Sequence, residues 1–225
     1  RVNRKLVLAR DPRGIKPLFY ARDREGSLLF GSEAKAILAG GVAATLEIPS
    51  LHLLMNFRYL PGENTLFRGI QQLAPGEVVV ARAGHDSFER SRISERSPAG
   101  EIEVVDALRS SVQTHLTADV EVASYLSGGI DSAAIVAIAR SVDGVDRTFS
   151  LPVGDDRQEA VNAARSAELL DVANICGDVP YVTETGLLEL LWHLETPKVN
   201  GLQSAVLARL AAGHVKVALS GVGGD

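Results

Sequence analysis

The chain has 225 residues, 46% of them hydrophobic and 23% charged, which is globular material for one sizeable core or two smaller ones. A net charge of -5 with pI near 5.6 gives no support for a nucleic-acid polyanion as partner, so none is expected. No apolar run approaches the ~20 residues that cross a bilayer, no signal peptide opens the chain, and the one cysteine cannot make an internal disulfide, so a cytoplasmic protein without membrane contact is the expectation.

From the start, residues 5–9, 18–21 and 28–30 read as short strands divided by D-P-R-G and D-R-E-G turns, and 33–38 as a short helix. A strand begins almost at once without an initiator methionine, so the chain is expected to be cut from something longer. Residues 83–100 are poor in apolar side chains and rich in Ser, Arg, Glu and Gly, which predicts a linker or exposed loop and places the domain boundary there. Ile102, Val105, Leu108, Val112 and Leu116 then recur at helical spacing, predicting a helix over 101–116 that packs on the following sheet. His115 on that helix reads as a surface residue. His52, His85, His193 and His214 show no paired metal-ligand spacing, so no zinc site is expected.

The chemistry concentrates between Val120 and Ala139, where V-E-V-A-S-Y-L is followed by S-G-G-I-D-S and A-A-I-V-A-I-A. The first part suits a buried strand and the last a buried helix, leaving Ser127 to Ser132 as the turn between them. Gly128 and Gly129 remove Cβ atoms that would keep a phosphate from the backbone, and the N–H groups opening the next helix point their partial positive charge into that space. Ser127 and Ser132 add hydroxyl donors. Asp131 beside a phosphate is repulsive unless a cation such as Mg²⁺ lies between them, which argues for a metal-bridged nucleotide. A tight turn capped by Asp131 would explain a lone S-G-G, but six specified positions between strand and helix point to an anion site. No G-K-[ST] follows, so this is not a Walker loop.

Beyond it, strands are predicted at 147–151, 172–176 and 215–219 and helices at 158–170, 183–194 and 203–212, with Leu187, Leu191 and Leu194 on one face of the second of these. Alternation of this kind predicts a parallel sheet with helices on both faces and ligands outside the carboxyl ends of its strands, at Tyr125–Leu126, Leu151 and Leu219–Ser220. Cys176 ends a V-A-N-I-C strand and reads as a small buried hydrophobe. The closing S-G-V-G-G-D, Ser220 to Asp225, repeats the logic of strand, glycines and acid.

The S-G-G-I-D-S turn resembles the PP-loop of the ATP pyrophosphatases, which split ATP into AMP and pyrophosphate. L-A-R-D-P-R-G-I-K-P-L-F-Y from Leu8, L-F-G-S-E-A-K-A-I-L from Leu29, T-L-F-R-G-I-Q-Q-L-A-P-G-E from Thr65 and L-S-G-V-G-G-D from Leu219 are similar, in the same order, to the asparagine synthetase B family. The resemblance implies an α/β chain in two parts. Residues 1–92 would be the truncated end of an amino-terminal-nucleophile glutaminase domain (α+β), and 101–225 the truncated start of a PP-loop synthetase domain with a parallel sheet flanked by helices. It implies ATP and Mg²⁺ as cofactors, with ATP, aspartate or another carboxylate, and glutamine as substrates. A homodimer is compatible with it.

By the same resemblance Tyr125, Leu126, Ser127, Gly128, Gly129, Ile130, Asp131, Ser132, Leu151, Ser220 and Gly221 contact nucleotide and pyrophosphate. Asp131 and Asp225 serve catalysis and hold Mg²⁺ through pyrophosphate, and the backbone at Tyr125 and Leu151 holds adenine. The family's glutamine-cleaving cysteine is the first residue of the mature protein, where this chain has Arg1, so no glutaminase chemistry is expected here. Arg10, Asp11, Gly14 and Lys16 are expected to shape their domain and its interface. Three departures touch the acceptor. Val222 replaces a glutamate frequent in asparagine-forming members. Asn200, Gly201 and Gln203 stand where those carry threonine and arginine after an intact H-L-E-T (His193 to Thr196). Pro152 replaces a glycine. An acceptor other than free aspartate, as in relatives that close a β-lactam or peptide ring, is therefore carried as a second reading, and a nucleotide-binding scaffold without turnover as a third.

Overall fold

A computed structural model describes residues 5–82, 84–85, 87–93, 103–152, 157–179, 183–196 and 201–222. The chain divides into two compact units, Arg1–Ser97 with Leu191–Val199, and Pro98–Leu190 with Asn200–Asp225.

In the first unit the strands β1 (Lys5–Ala9), β2 (Phe19–Arg22), β3 (Leu28–Gly31), β4 (Gln71–Gln72), β5 (Glu77–Arg82) and β6 (Glu89–Arg92) form two antiparallel sheets, ordered β1-β5-β6 and β3-β2-β4, and the helices α1 (Ala34–Ala39) and α2 (Ile48–Phe57) lie between β3 and β4 in the chain. Period-two burial along β5 turns Glu77, Val79 and Ala81 inward, and Val79 meets Leu8, Tyr20 and Leu73 in a shared core. The D-P-R-G turn explains its own residue types. The Asp11 carboxylate accepts the amides of Arg13, Ile15 and Lys16 at 3.0–3.1 Å, and these bonds, led by those from Lys16 and Ile15, lower its pKa from 3.8. Arg10 donates to the carbonyls of Leu73 (2.6 Å), Gly14 (2.8 Å) and Lys16 (3.1 Å), closing the turn on the chain that leads to β5. Gly14 sits at φ +67°, and a Cβ there would stand 2.9 Å from Pro75 Cγ.

Two segments depart from the sequence-based reading. The predicted linker contains β6, whose four residues are exposed yet paired to β5, because Arg90 reaches inward. Its guanidinium bonds Glu63 and the buried Glu77, each at 2.9 Å, and the Tyr20 hydroxyl, which in turn donates to Gln71 Oε1 at 3.0 Å. Backbone pairing and one arginine outweigh a polar composition. The second concerns Glu195 of H-L-E-T. Its carboxylate accepts the amides of Ala34 and Lys35, both at 2.7 Å, and so caps α1 from some 160 residues along the chain. Lys35 completes the contact with an ion pair to Glu195 at 3.6 Å and a hydrogen bond to the carbonyl of Trp192 at 3.3 Å.

The second unit contains α3 (Val104–His115), β7 (Val122–Tyr125), α4 (Ile130–Arg140), β8 (Arg147–Ser150), α5 (Gln158–Leu169), β9 (Ala173–Cys176), α7 (Gly201–Ala212) and β10 (Val217–Leu219), with α6 (Glu184–Leu194) running into the segment assigned to the first unit. The four strands are parallel in the order β10-β7-β8-β9, as the alternation predicts. On one face Val112, Val122, Ala139 and Val145 pack together, as do Leu126, Val136, Ala163 and Ala167, so α3, α4 and α5 cover it. On the other, Ala123 and Phe149 meet Ala211 and Val215 from α7 and its exit. A polar ladder crosses β8 and β9: the Thr148 hydroxyl lies 3.0 Å from Ala173 O and 3.1 Å from Asn174 Oδ1, and Asn174 Nδ2 donates to Ser150 Oγ at 3.1 Å.

The expected apolar face of α3 packs only over its C-terminal half. Val112 is buried and Leu116 joins the core, whereas Val105 and Leu108 are exposed and Ile102 lies outside the described residues. Helix α6 buries none of its residues, and its Leu187 is exposed. Cys176 is exposed rather than buried, because β9 is the sheet's edge strand and Cys176 its last residue.

Replacing Arg90 by alanine leaves the Glu77 carboxylate buried without its cation. A loss of about 1–3 kcal/mol is expected in the unfolding free energy of this unit, read from urea melts. Arg92→Ala, exposed on the same strand, should stay within about 0.5 kcal/mol.

Candidate nucleotide site

The site begins with the sheet order. β7 continues through α4 to β8 on one side, while β10 pairs on the other, so the gap between the carboxyl ends of β7 and β10 is the topological switch point of this sheet. Both glycine motifs leave the sheet there. Parallel register sets Leu219 beside Ser124 and Tyr125 beside Phe149.

The turn out of β7 is held by its own serines. Ser132 is buried, its Oγ accepts the Ser127 amide at 3.1 Å, lies 2.9 Å from Ser127 Oγ and reaches Gly129 O at 3.1 Å. Ser127 Oγ accepts the Gly129 amide at 3.2 Å. These bonds bend the chain so that Gly129 becomes the N-cap of α4, with extended backbone (φ -90°, ψ 157°) and no side-chain cap. The amides of Ile130 and Asp131 lead the helix with no intrahelical acceptor, in the arrangement that receives an anion.

The two glycines do different work. Gly129 is open, a Cβ there meeting only Ser127 Oγ at 3.3 Å. Gly128 does not clear space for a phosphate. A Cβ there would stand 2.9 Å from Asn162 Cβ, 3.1 Å from Glu159 O and 3.3 Å from Glu159 Cα, so its bareness lets the first turn of α5 press against the loop. Gly221 has the same office on the other flank: its Cβ would lie 3.1 Å from Ser132 N and 3.4 Å from Asp131 C, which brings the chain leaving β10 onto the start of α4. The structure thus brings Ser127, Gly128, Gly129, Ile130, Asp131, Ser132 and Gly221 together. The backing by Glu159 and Asn162 had no signal in the sequence, since both are ordinary residues of an amphipathic helix.

Asp131 is exposed in the first turn of α4 and, among the described residues, has no ion-pair partner. One free carboxylate beside bare amides fits a hard cation that takes its remaining ligands from phosphate oxygens and water. Among the described residues no group of three His, Cys, Asp or Glu could hold a metal by itself. Asp225 lies outside the described residues, as does Asn200. Ser220 is exposed and its Oγ accepts the Val222 amide at 3.2 Å. Ile130 and Val222 are 82% and 94% exposed, so an apolar side chain projects from each of the two motifs. Leu126 is buried and its amide is taken by Phe149 O at 2.9 Å, while Leu151 is buried with its side chain near Gly177. Tyr125 is half-buried, and burial raises its phenol pKa above 10.0. Gly201 is buried and Gln203 half-buried at the start of α7.

Two strand-borne glycine motifs meet at the switch point of a parallel sheet, which makes the second unit an α/β unit of the kind that takes ligands at that place. Residues 103–225 match the asparagine synthase family and residues 1–91 the glutamine amidotransferase domain, and the chain belongs to the asparagine synthase family. It is 32% identical to asparagine synthetase [glutamine-hydrolyzing] 1 of Bacillus subtilis over 96% of this chain and 36% of that protein. With a putative asparagine synthetase [glutamine-hydrolyzing] of Mycobacterium tuberculosis the identity is 34% over all of this chain and 37% of that protein. With the amidase chyE of Penicillium rubens it is 28% over 99% and 37%. The chain thus spans little more than a third of the length of these relatives. Among solved structures, an NH3-dependent NAD synthetase from Campylobacter jejuni overlaps 51% of this chain and 53% of its own at a TM-score of 0.36 and 16% identity. The family uses ATP. Among the described residues no helix is long and apolar enough to cross a membrane.

Gly128→Ala should destabilise the second unit by about 1–3 kcal/mol through overpacking against α5, whereas Gly129→Ala should cost under about 1 kcal/mol. Urea unfolding of the two variants checks the contrast. Equal losses would show that α5 does not press on the loop.

Proposed function

We propose that this chain is part of an ATP-dependent amidotransferase of the asparagine synthetase type, residues 1–92 closing a glutaminase domain and residues 101–225 opening the synthetase domain. In this reading a carboxylate oxygen of the acceptor attacks the α-phosphorus of ATP and the α–β phosphoanhydride bond breaks. Pyrophosphate leaves into the Ser127–Ser132 turn. Ammonia derived from glutamine then attacks the acyl carbon, and AMP departs with the electrons of the acyl–oxygen bond. The cytoplasm supplies ATP and glutamine together and is the compartment this reading implies.

The observation that carries the proposal is the turn itself, where bare amides lead α4, two mutually bonded serines hold the bend, and Gly221 packs against the start of the helix. Donors fixed before the reaction stabilise the charge that develops on departing pyrophosphate without having to reorganise. Tyr125 and Leu151 would hold adenine through their backbone, and Ser220 and Gly221 the nucleotide. Mg²⁺, held between Asp131, Asp225 and pyrophosphate oxygens, would neutralise charge there when bound. Cys176 has no part in glutamine cleavage: it is exposed at a sheet edge, and its sulfur is 3.7 Å from the carbonyl of Gly177 with no base bonded to it among the described residues.

Asp131→Asn in the full-length protein should reduce ATP/pyrophosphate exchange at least a hundredfold while changing the unfolding free energy by no more than about 0.5 kcal/mol. Exchange at the unmutated rate would reduce Asp131 to a residue of the first helical turn.

Aspartate is the simplest acceptor, but the exposure of Val222 favours a second reading in which another carboxylate is activated, as in ligases that close a β-lactam or peptide ring. The amidase chyE shows by its name that relatives over this span are not all asparagine synthetases. A charged hydrogen bond is worth about 1.5–3 kcal/mol, so a site lacking one should bind aspartate roughly ten- to a hundredfold more weakly. Pyrophosphate release by the full-length protein across aspartate, β-amino acids and peptide carboxylates, with glutamine or ammonia supplied, should show poor discrimination for aspartate. Tight and selective use of aspartate, with asparagine formed, would establish the simpler reading.

A further inference from the structure

The first unit holds, within itself, a cavity of about 350 Å³ between the start of α2 and the chain from Glu63 to Gln71. That is the small end of the range for ligand pockets, roughly 300–1,000 Å³. Its two walls are tied to one another. The Glu47 amide donates to Leu66 O at 2.9 Å, Arg68 N to Thr45 O at 2.8 Å, and Leu46 and Phe67 form an isolated antiparallel bridge.

Ser50 sets this cavity apart from an ordinary packing gap. It is 2% exposed and lines the cavity, yet among the described residues its hydroxyl makes no hydrogen bond. Buried hydroxyls are otherwise committed here, as with Thr65, whose Oγ1 reaches Phe67 O at 3.0 Å and Ile70 O at 2.7 Å. The Ser50 amide is also unclaimed among the described residues. It stands in the first turn of α2, where Pro49 has no N–H and Leu51 donates to Glu47 O at 3.0 Å. One buried residue of the cavity's lining therefore carries two uncommitted donors at the positive end of a ten-residue helix, a place that suits a carboxylate. The lining also carries the opposite chemistry. Glu47 and Glu63 bring carboxylates, each held by an arginine, Arg68 at 3.4 Å and Arg90 at 2.9 Å. Those arginines offset their charge and leave lone pairs for an N–H donor. Phe67 and Ile70 supply the apolar floor.

We propose that this cavity binds a zwitterionic α-amino acid, with its carboxylate on the amide and hydroxyl of Ser50, its ammonium toward Glu47 and Glu63, and its side chain over Phe67 and Ile70. The site shares no residue with the nucleotide turn and does not depend on the adenylation reading.

Calorimetric titration of the full-length protein with each of the twenty protein amino acids tests it, binders being compared with their α-amides, which lack the carboxylate, and their N-acetyl derivatives, which lack the ammonium. At least one zwitterion should bind, both blocked forms at least tenfold more weakly, with Ser50→Ala costing about tenfold and Ser50→Thr retaining the interaction. Amino acids bound at a catalytic centre would be indifferent to Ser50→Ala, which separates the two sites. Hydrogen exchange at the Ser50 amide needs no substitution, and should slow when the amino acid is added. Absence of any binding amino acid, binding unchanged in Ser50→Ala, equal affinity for the blocked forms, or an unaltered exchange rate would each overturn the proposal.

Discussion

The loop proposed to hold nucleotide depends on two places where a missing Cβ lets backbone approach backbone. At Gly128 the first turn of α5 comes against the loop, and at Gly221 the chain leaving β10 comes against the first turn of α4. The loop between is short and polar and has little apolar surface of its own. Its shape is set from both flanks and from within by the Ser127–Ser132 pair. Catalytic geometry is held in this way when a loop must expose amides to a ligand yet keep them in place. Beside the amides of Ile130 and Asp131 the two serines are committed to one another and to the loop's own backbone.

The architecture of the second unit was legible in the sequence because its signals are those of buried parallel strands and of helices with an apolar stripe. The strands at Val122, Arg147, Ala173 and Val217 lie where the alternation of strand and helix predicted them. What was not legible came from contacts distant along the chain. The apolar spacing of α3 continues through Val105 and Leu108, but no partner covers them, since periodicity reports what could be buried and not what meets it. Cys176 looked like a core residue because its neighbours are apolar, and its exposure follows from β9 lying at the sheet's edge, which only strand order reveals.

The same division holds at the site. The residue types of S-G-G-I-D-S predicted a turn between a strand and a helix, and the chain turns there, held by Ser127 and Ser132 and leading into α4. The work of Gly128 was misassigned, because a sequence shows that a Cβ is absent and not which atoms fill the space. In the first unit the polar run around β6 concealed Arg90, whose partners Glu63 and Glu77 stand 27 and 13 residues away. Glu195 is the extreme instance, its capping of α1 invisible at any local scale.

The ladder of Thr148, Asn174 and Ser150 bears on how the sheet avoids misalignment. Burial already favours one register, because a slip by one residue sends every side chain to the opposite face, and polar bonds between strands add to it. Hydroxyls and an amide interlocked across β8 and β9 admit one alignment only. A slip by one residue would move the end of β8 by about 3.3 Å, turn Phe149 off its face and part the buried Thr148 and Ser150 from the half-buried Asn174. The same slip would carry Leu151 away from the level of Leu126, so two buried hydroxyls and one half-buried amide help keep the strand ends flush at the rim of the sheet.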